Sequence, residues 1–235
     1  MKPPKASFVI PVYNGAAYLA ETIESCLKQT TENIQIVVVD DCSTDSTDTV
    51  IKHYQDKDER ILPLKLPENS GRSAARNVGI ENASGEIILT LDSDDIALPH
   101  RAAHTIQFFK KNPEVDIAFS KFQVLEWAPR QDGILDWVVA GLMDAPPFDW
   151  ERLKETKLAY IGHSTMAFRK RVFEKVRYSD GPYSHHGIDD WKFQVDAYRA
   201  GLRFGAIPKI LGQYRFIRKQ RDEMAILKLK EACLA

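Results

Sequence analysis

Apolar positions along the first half of the chain follow two alternating rhythms. Continuous or every-other apolar runs occupy 6–12, 34–40, 60–66, 86–92 and 115–125, the pattern of strands. Between them the spacing changes to that of a helix, predicting helices over 18–28, 44–55, 73–82 and 98–110. In the first of these, Leu19, Ile23, Cys26 and Leu27 form one stripe to bury. Val37, Val38 and Val39 are apolar on both faces, as a central parallel strand requires. Strands alternating with helices of this length predict an α/β fold, a mainly parallel Rossmann-like sheet with helices on both faces.

The second half is less regular. After Trp127 come Pro129, Trp137, Pro146, Pro147 and Trp150 with weak periodicity, which predicts loops and short helices over the sheet edge. The tryptophans there are expected to pack between loop and body. A strand is predicted over 164–168, a basic helix over 169–175, and a helix opened by Asp189 and Asp190 with Trp191, Phe193, Val195 and Tyr198 for packing. A last helix, 220–235, carries Met224, Ile226, Leu227, Leu229 and Leu234 beside Lys228 and Lys230. Packing on the body or a second subunit is its expected role, with peripheral contact at the inner membrane face as the alternative.

Composition narrows the class. The 235 residues, 44% of them hydrophobic, can bury a sizeable core. Lys+Arg is 32 against Asp+Glu 33, a net charge of −1, which argues against a general nucleic-acid binder. Cys26, Cys42 and Cys233 are too scattered for a disulfide framework and fit a reducing compartment. No apolar run reaches the length of a membrane span, and a cytoplasmic protein is expected.

Candidate chemistry gathers where the predicted strands end. The run 85–95, Gly-Glu-Ile-Ile-Leu-Thr-Leu-Asp-Ser-Asp-Asp, ends a strand in three carboxylates. Alternation points Asp92 and Asp94 the same way, about 6–7 Å apart, and turns Asp95 to the other side. Such a pair suits a divalent cation shared with phosphates; the plainer alternative is a helix cap. Pro11, Tyr13 and Asn14 follow the first strand, and Asp40 and Asp41 the second. In parallel sheets ligands bind beyond these C-terminal ends. The loop 69–79, Asn-Ser-Gly-Arg-Ser-Ala-Ala-Arg-Asn-Val-Gly, leads into a helix and places Arg72 and Arg76 on one face, toward a diphosphate or toward solvent. Neither a Walker-type phosphate loop nor a dinucleotide G-x-G-x-x-G is present.

Taken in order, the segments 8–14, 37–45, 69–79 and 91–95 resemble the successive signatures of family 2 glycosyltransferases. The resemblance covers roughly the first 125 residues. It implies a GT-A fold, a nucleotide-sugar donor, a Mn²⁺ or Mg²⁺ cofactor and inversion at the anomeric carbon. It implies a nucleotide-sugar-binding subdomain over 1–125, an acceptor-side subdomain with the catalytic base over 126–219, and the helix 220–235, all in one continuous domain. Carried onto this chain, Tyr13 would stack on the donor base and Asp41 bond its edge, with Pro11, Asn69, Arg72, Arg76 and Ser93 also on the donor. Asp94 would be the main metal ligand and Asp92 would lie near ribose and metal. A uridine donor is preferred, a thymidine donor second; the acceptor would be a glycan or lipid-linked hydroxyl in polysaccharide biosynthesis.

The segment 187–214 resembles the family's Glu-Asp motif, with Asp189 where Glu is usual and Asp190 in the place of the general base. Many relatives carry a metal-binding His after the Tyr-Arg pair; here Phe216, Ile217 and Arg218 stand there. His163, His185 and His186 are conceivable substitutes but are expected on the surface or in acceptor loops. Two other classes stay open: a nucleotidyltransferase, which lacks here its basic N-terminal phosphate loop, and a non-catalytic sugar-nucleotide-binding protein, which would be expected to have lost Asp94 or Asp190.

Overall fold

The computed structural model describes residues 4–129, 135–156, 162–216 and 223–234. Four parallel strands carry the first half: β1 (Ala6–Val12), β2 (Ile34–Asp40), β3 (Ile61–Lys65) and β4 (Ile87–Thr90), side by side as β3-β2-β1-β4. They alternate with helices α1 (Ala16–Leu27), α2 (Thr47–Gln55) and α3 (Arg72–Asn82). Beyond them come β5 (Ile96–Ala97), α4 (Arg101–Lys111), β6 (Ile117–Pro129) and β7 (Leu135–Met143). The chain continues through α5 (Trp150–Thr156), β8 (Ala167–Arg169), α6 (Pro182–His185), α7 (Asp189–Arg199), β9 (Phe204–Arg215) and α8 (Glu223–Leu234).

One sheet unites these strands in the order β3-β2-β1-β4-β8-β6-β9-β5, with β7 added on β6. Strand β8 runs antiparallel to both its neighbours, and β6 pairs parallel with β9. The parallel half thus becomes mixed on the acceptor side, in line with the expected fold class.

Strand periodicity sorts the core into two layers. Phe8, Ile10, Ile36 and Val38 join Leu19, Ile23, Cys26, Ile51 and Phe109 on one face of the sheet. Val9, Val37 and Val39, one residue out of phase, join Ala75, Ile80, Phe168 and Phe193 on the other. Helix α3 comes closest to the sheet at Gly79, where an added Cβ would stand 2.5 Å from Val9 Cγ1 and 3.0 Å from Val39 Cγ2. Both neighbours are β-branched and buried, so they cannot swing aside. Although Ala outranks Gly in a helix by about 1 kcal/mol, Gly79→Ala should lower stability by about 1–3 kcal/mol through overpacking. Urea unfolding measures the net; an unchanged or raised midpoint would mean α3 can back off the sheet.

Two expectations for the second half need correction. The stretch after Trp127, expected as loops and short helices, continues β6 to Pro129 and returns as β7, an antiparallel ladder from Phe122↔Met143 to Pro129↔Leu135. Its ladder to β6 is interrupted by a register shift between Val124 and Leu125, which hides a strand from a simple alternation count. The expected basic helix over 169–175 is instead the end of β8 followed by a 3-10 turn, Lys170–Glu174, with adjacent Val172 and Phe173 both buried.

The tryptophans pack as expected. Trp137 sits edge-on to Tyr18, and Trp150 stacks on Tyr198 at 4.3 Å. Helix α8 docks on α7, with Cys233 buried and Ile226, Leu229 and Leu234 half-buried around Trp191 and Val195. Among the described residues no helix is long and apolar enough to cross a membrane.

Candidate active site

The C-terminal ends of β1, β2 and β4 open into a cleft of about 1050 Å³. Its walls include Pro11, Tyr13, Asp41, Asn69, Arg72 and Arg76, together with Asp92, Ser93 and Asp94. All the residues expected to hold donor or metal therefore meet in one place. Tyr13 is half exposed, its ring available to a flat ligand. Asn14, at φ 51°, ties the two loops flanking it: its side-chain oxygen accepts the Thr44 N–H at 2.8 Å, and its own N–H reaches Ser43 Oγ.

Asp41 organises the entrance of α3. Its two oxygens accept the N–H groups of Ser70 at 2.8 Å and Gly71 at 2.9 Å. Gly71 has φ 87°, a left-handed conformation that glycine adopts freely. Burial raises the Asp41 carboxyl pKa, against the pull of these two bonds. Each oxygen keeps a second lone pair for a ligand N–H.

The loop bearing Asp92 and Asp94 is fastened on three sides. Thr22 of α1 donates to the carbonyls of Ser93 and Asp95, both at 2.9 Å. Arg215, at the end of β9, donates to the Asp94 carbonyl at 2.9 Å and pairs with Glu21. The Ser164 hydroxyl accepts the Asp92 N–H and donates to Asp95. Asp95 points inward, fully buried, and accepts the Arg215 N–H. Burial, with Asp94 and Asp92 nearby, pushes its carboxyl pKa well above the usual range. Asp95 is a structural acid and its two neighbours face the cleft.

Arg76 does something periodicity alone does not reveal. Only 3% exposed, it bridges two carboxylates, donating to Asp92 Oδ1 at 2.8 Å and pairing with Asp189. Ser73 adds a 3.2 Å bond to the same Asp189 oxygen. Asp189 is fully buried. Its neighbour Asp190 lines a second cleft of about 370 Å³, walled by Phe122, Val124, Met143, Trp191 and Phe216. The two clefts share Arg72, Arg76, Asp92, Gly187 and Tyr214, so they lie side by side. Burial and the adjacent Asp189 raise the Asp190 carboxyl pKa, partly offset by His163 and Arg76.

Residues 7–177 match the profile of glycosyl transferase family 2. The chain belongs to that family. The uncharacterised glycosyltransferase MJ1057 of Methanocaldococcus jannaschii is 29% identical over 222 residues, covering 92% of this chain and 72% of its own. Glycosyltransferase GlyG of Streptococcus pneumoniae is 30% identical over 187 residues, covering 74% of this chain and 60% of its own. The chain spans between 45% and 72% of the length of the first curated relatives it matches. Among solved structures, S. aureus TarS (residues 1–349) in complex with UDP-GlcNAc superposes with a TM-score of 0.73 over 98% of this chain and 66% of that one. At 22% identity that likeness speaks for the shared fold alone.

On this family 2 scaffold the donor and metal residues foreseen in the sequence converge, and one histidine, expected on the surface or in an acceptor loop, is placed differently. His163 is buried, with Nδ1 3.1 Å from Asp92 Oδ1 and Nε2 3.0 Å from the Tyr178 hydroxyl. No periodic signal marks it, because it sits in a 3-10 turn rather than on a strand or helix face. His185 and His186 line the donor cleft. Arg218 lies outside the described residues.

Proposed function

We propose that this chain is an inverting glycosyltransferase that moves a sugar from a nucleotide-diphosphate donor to a hydroxyl of a glycan or lipid-linked acceptor during polysaccharide assembly. The observation that carries the reading is that Asp190 lines the second cleft, which shares Arg72, Arg76 and Asp92 with the first. An acceptor hydroxyl in the second cleft needs a proton acceptor as it attacks the anomeric carbon. A carboxylate with a raised pKa is better suited to that task than an ordinary one. Asp189 is fully buried with its Oδ2 held by Arg76 and Ser73, while Asp190 lines the second cleft, which favours Asp190 as the base. One in-line displacement then inverts the sugar with no covalent intermediate.

On the donor side, the Tyr13 ring offers a stacking face and Asp41 an acceptor for a ring N–H, which suits uracil first and thymine second. The donor set also fits a hard divalent cation. Asp94 and Asp92 supply carboxylate oxygen on one wall, and among the described residues no group of three potential ligands forms there, so diphosphate and water would have to complete the shell. Mg²⁺ and Mn²⁺ need only one or two carboxylates when a diphosphate and water complete the shell. Bound there, the cation would neutralise charge on the departing diphosphate. Arg72, exposed and lining both clefts, is placed to add a second positive charge.

Asp94→Asn should weaken Mn²⁺-dependent UDP binding while leaving the melting temperature of the unliganded protein unchanged. Calorimetry of UDP and GDP, with and without Mn²⁺, decides the matter. Unchanged metal-dependent affinity in the variant would remove Asp94 from the site, and tight binding of GDP alone would overturn the uridine choice.

A further inference from the structure

We infer that His163 is a positioning residue for the donor, which with Arg76 fixes the rotamer of Asp92 and so selects the oxygen that Asp92 offers to its ligand. The inference rests on the reading of Asp92 as a donor-side group. Both of the charged contacts to Asp92 fall on one atom: Arg76 at 2.8 Å and His163 Nδ1 at 3.1 Å each reach Oδ1. Oδ2 is thereby left for whatever occupies the cleft that Asp92 lines.

The imidazole is held from behind. Its Nε2 meets the Tyr178 hydroxyl at 3.0 Å, and the Tyr178 ring stacks on Phe193 at 4.5 Å. Tyr178 is in turn gripped by Asn77, which exchanges bonds of 2.9 and 3.0 Å with its backbone. The His163 carbonyl accepts the hydroxyl proton of Thr90, at the end of the strand leading to Asp92. Helix α3 thus controls Asp92 twice, directly through Arg76 and indirectly through Asn77, Tyr178 and His163. A carboxylate only accepts, so the proton facing Asp92 belongs on Nδ1, and in the neutral ring Nε2 accepts from Tyr178. Nδ1 is buried, and its contact with Asp92 is close without being aligned as a hydrogen bond. It has no other partner among the described residues, so Asp92 is the acceptor it serves. His163 also lines the second cleft, but its Nε2 is held by Tyr178 and its Nδ1 faces Asp92, so its effect on the donor runs through Asp92.

Substitutions separate positioning from packing. In His163→Asn the amide nitrogen takes the place of Nδ1 and keeps the donor to Asp92. In His163→Gln the amide reaches toward Nε2 and the donor to Asp92 is lost. UDP affinity is measured by calorimetry with and without Mn²⁺, alongside melting temperature and the division of any turnover defect between KM and kcat. His163→Gln and His163→Ala should weaken UDP binding about 10-fold or more, the usual cost of removing a group that orients a ligand-binding side chain. His163→Asn should stay near wild type, and Tyr178→Phe should show a smaller loss of the same sign. If Asn and Gln behave alike, or affinity follows melting temperature instead of the donor position, His163 is only packing and the inference falls. If UDP binding to the wild type ignores Mn²⁺, the metal reading falls separately, while the Asn-against-Gln contrast in metal-free UDP affinity still decides the role of His163. Should His163→Ala not fold, that contrast alone is sufficient.

Discussion

Replacing Asp190 by Asn should reduce sugar transfer by about 10²–10⁴-fold, the usual worth of a positioned general base, with UDP affinity unchanged. Asn keeps the size of the side chain and can still accept the Trp191 N–H that Asp190 Oδ1 accepts at 2.8 Å. Only proton acceptance is lost. Were Asp190 merely ending the helix, the cost would be about 1 kcal/mol of stability with turnover intact, and comparing turnover with the melting temperature separates the two outcomes. The pH profile supplies a second signature. The base must be ionised, and burial beside Asp189 raises its pKa above 3.8. Wild-type turnover should therefore climb as pH rises through that elevated pKa, and Asp190→Asn should lose the ascending limb. Asp189→Asn should act differently, through the Arg76 bridge, appearing first as lost stability.

Arg76→Met should be the most destabilising single change at the site. It leaves Asp92 and the fully buried Asp189 without their shared counter-charge. Removing one partner of a buried ion pair costs about 3–5 kcal/mol, a fall in melting temperature of roughly 6–20 °C for a chain of this size. The sign of the pH dependence should reverse with it. In the wild type the Asp92 pKa is depressed, so its contribution is present at neutral pH and is lost as acid protonates it below the unfolded value of about 3.9. In Arg76→Met a buried carboxylate short of its counter-charge has its pKa raised, so the folded state binds protons more readily than the unfolded one. Stability then falls as pH rises through that window, and the deficit of the variant should shrink toward pH 4. Thermal melts of both proteins from pH 4 to 8 test this; a deficit that is constant with pH would mean Arg76 contributes packing and not charge.

Much of this protein was legible in the chain because the signals are local. The alternation in Phe8, Val9 and Ile10, and again in Val37, Val38 and Val39, defines a strand and its two faces within a few residues, and the sheet buries those faces accordingly. Tyr13, Asp41 and the pair Asp92 and Asp94 follow strand ends directly, so knowing that the sheet is parallel already brings them to one edge. Asp95 does turn inward as expected, but through a turn closed by its N–H on the Asp92 carbonyl after the strand has ended at Thr90, and not through strand alternation. Strand β7 was invisible because the ladder it completes with β6 is interrupted by a shift of register between Val124 and Leu125.

The roles of the two adjacent aspartates were decided only by tertiary structure. Successive residues of a helix point about 100° apart, so Asp189 and Asp190 had to face different surroundings, but nothing local says which faces what. The docking of α7 against α3 turned Asp189 onto Arg76, 113 residues away in the chain, and left Asp190 lining the second cleft. The same docking took Arg76 from a helix face that looked open to a phosphate and buried it between two carboxylates, and the turn after α5 brought His163 to Asp92. Sequence fixes side chains to local periods; charge pairing inside a core is settled by which distant elements meet.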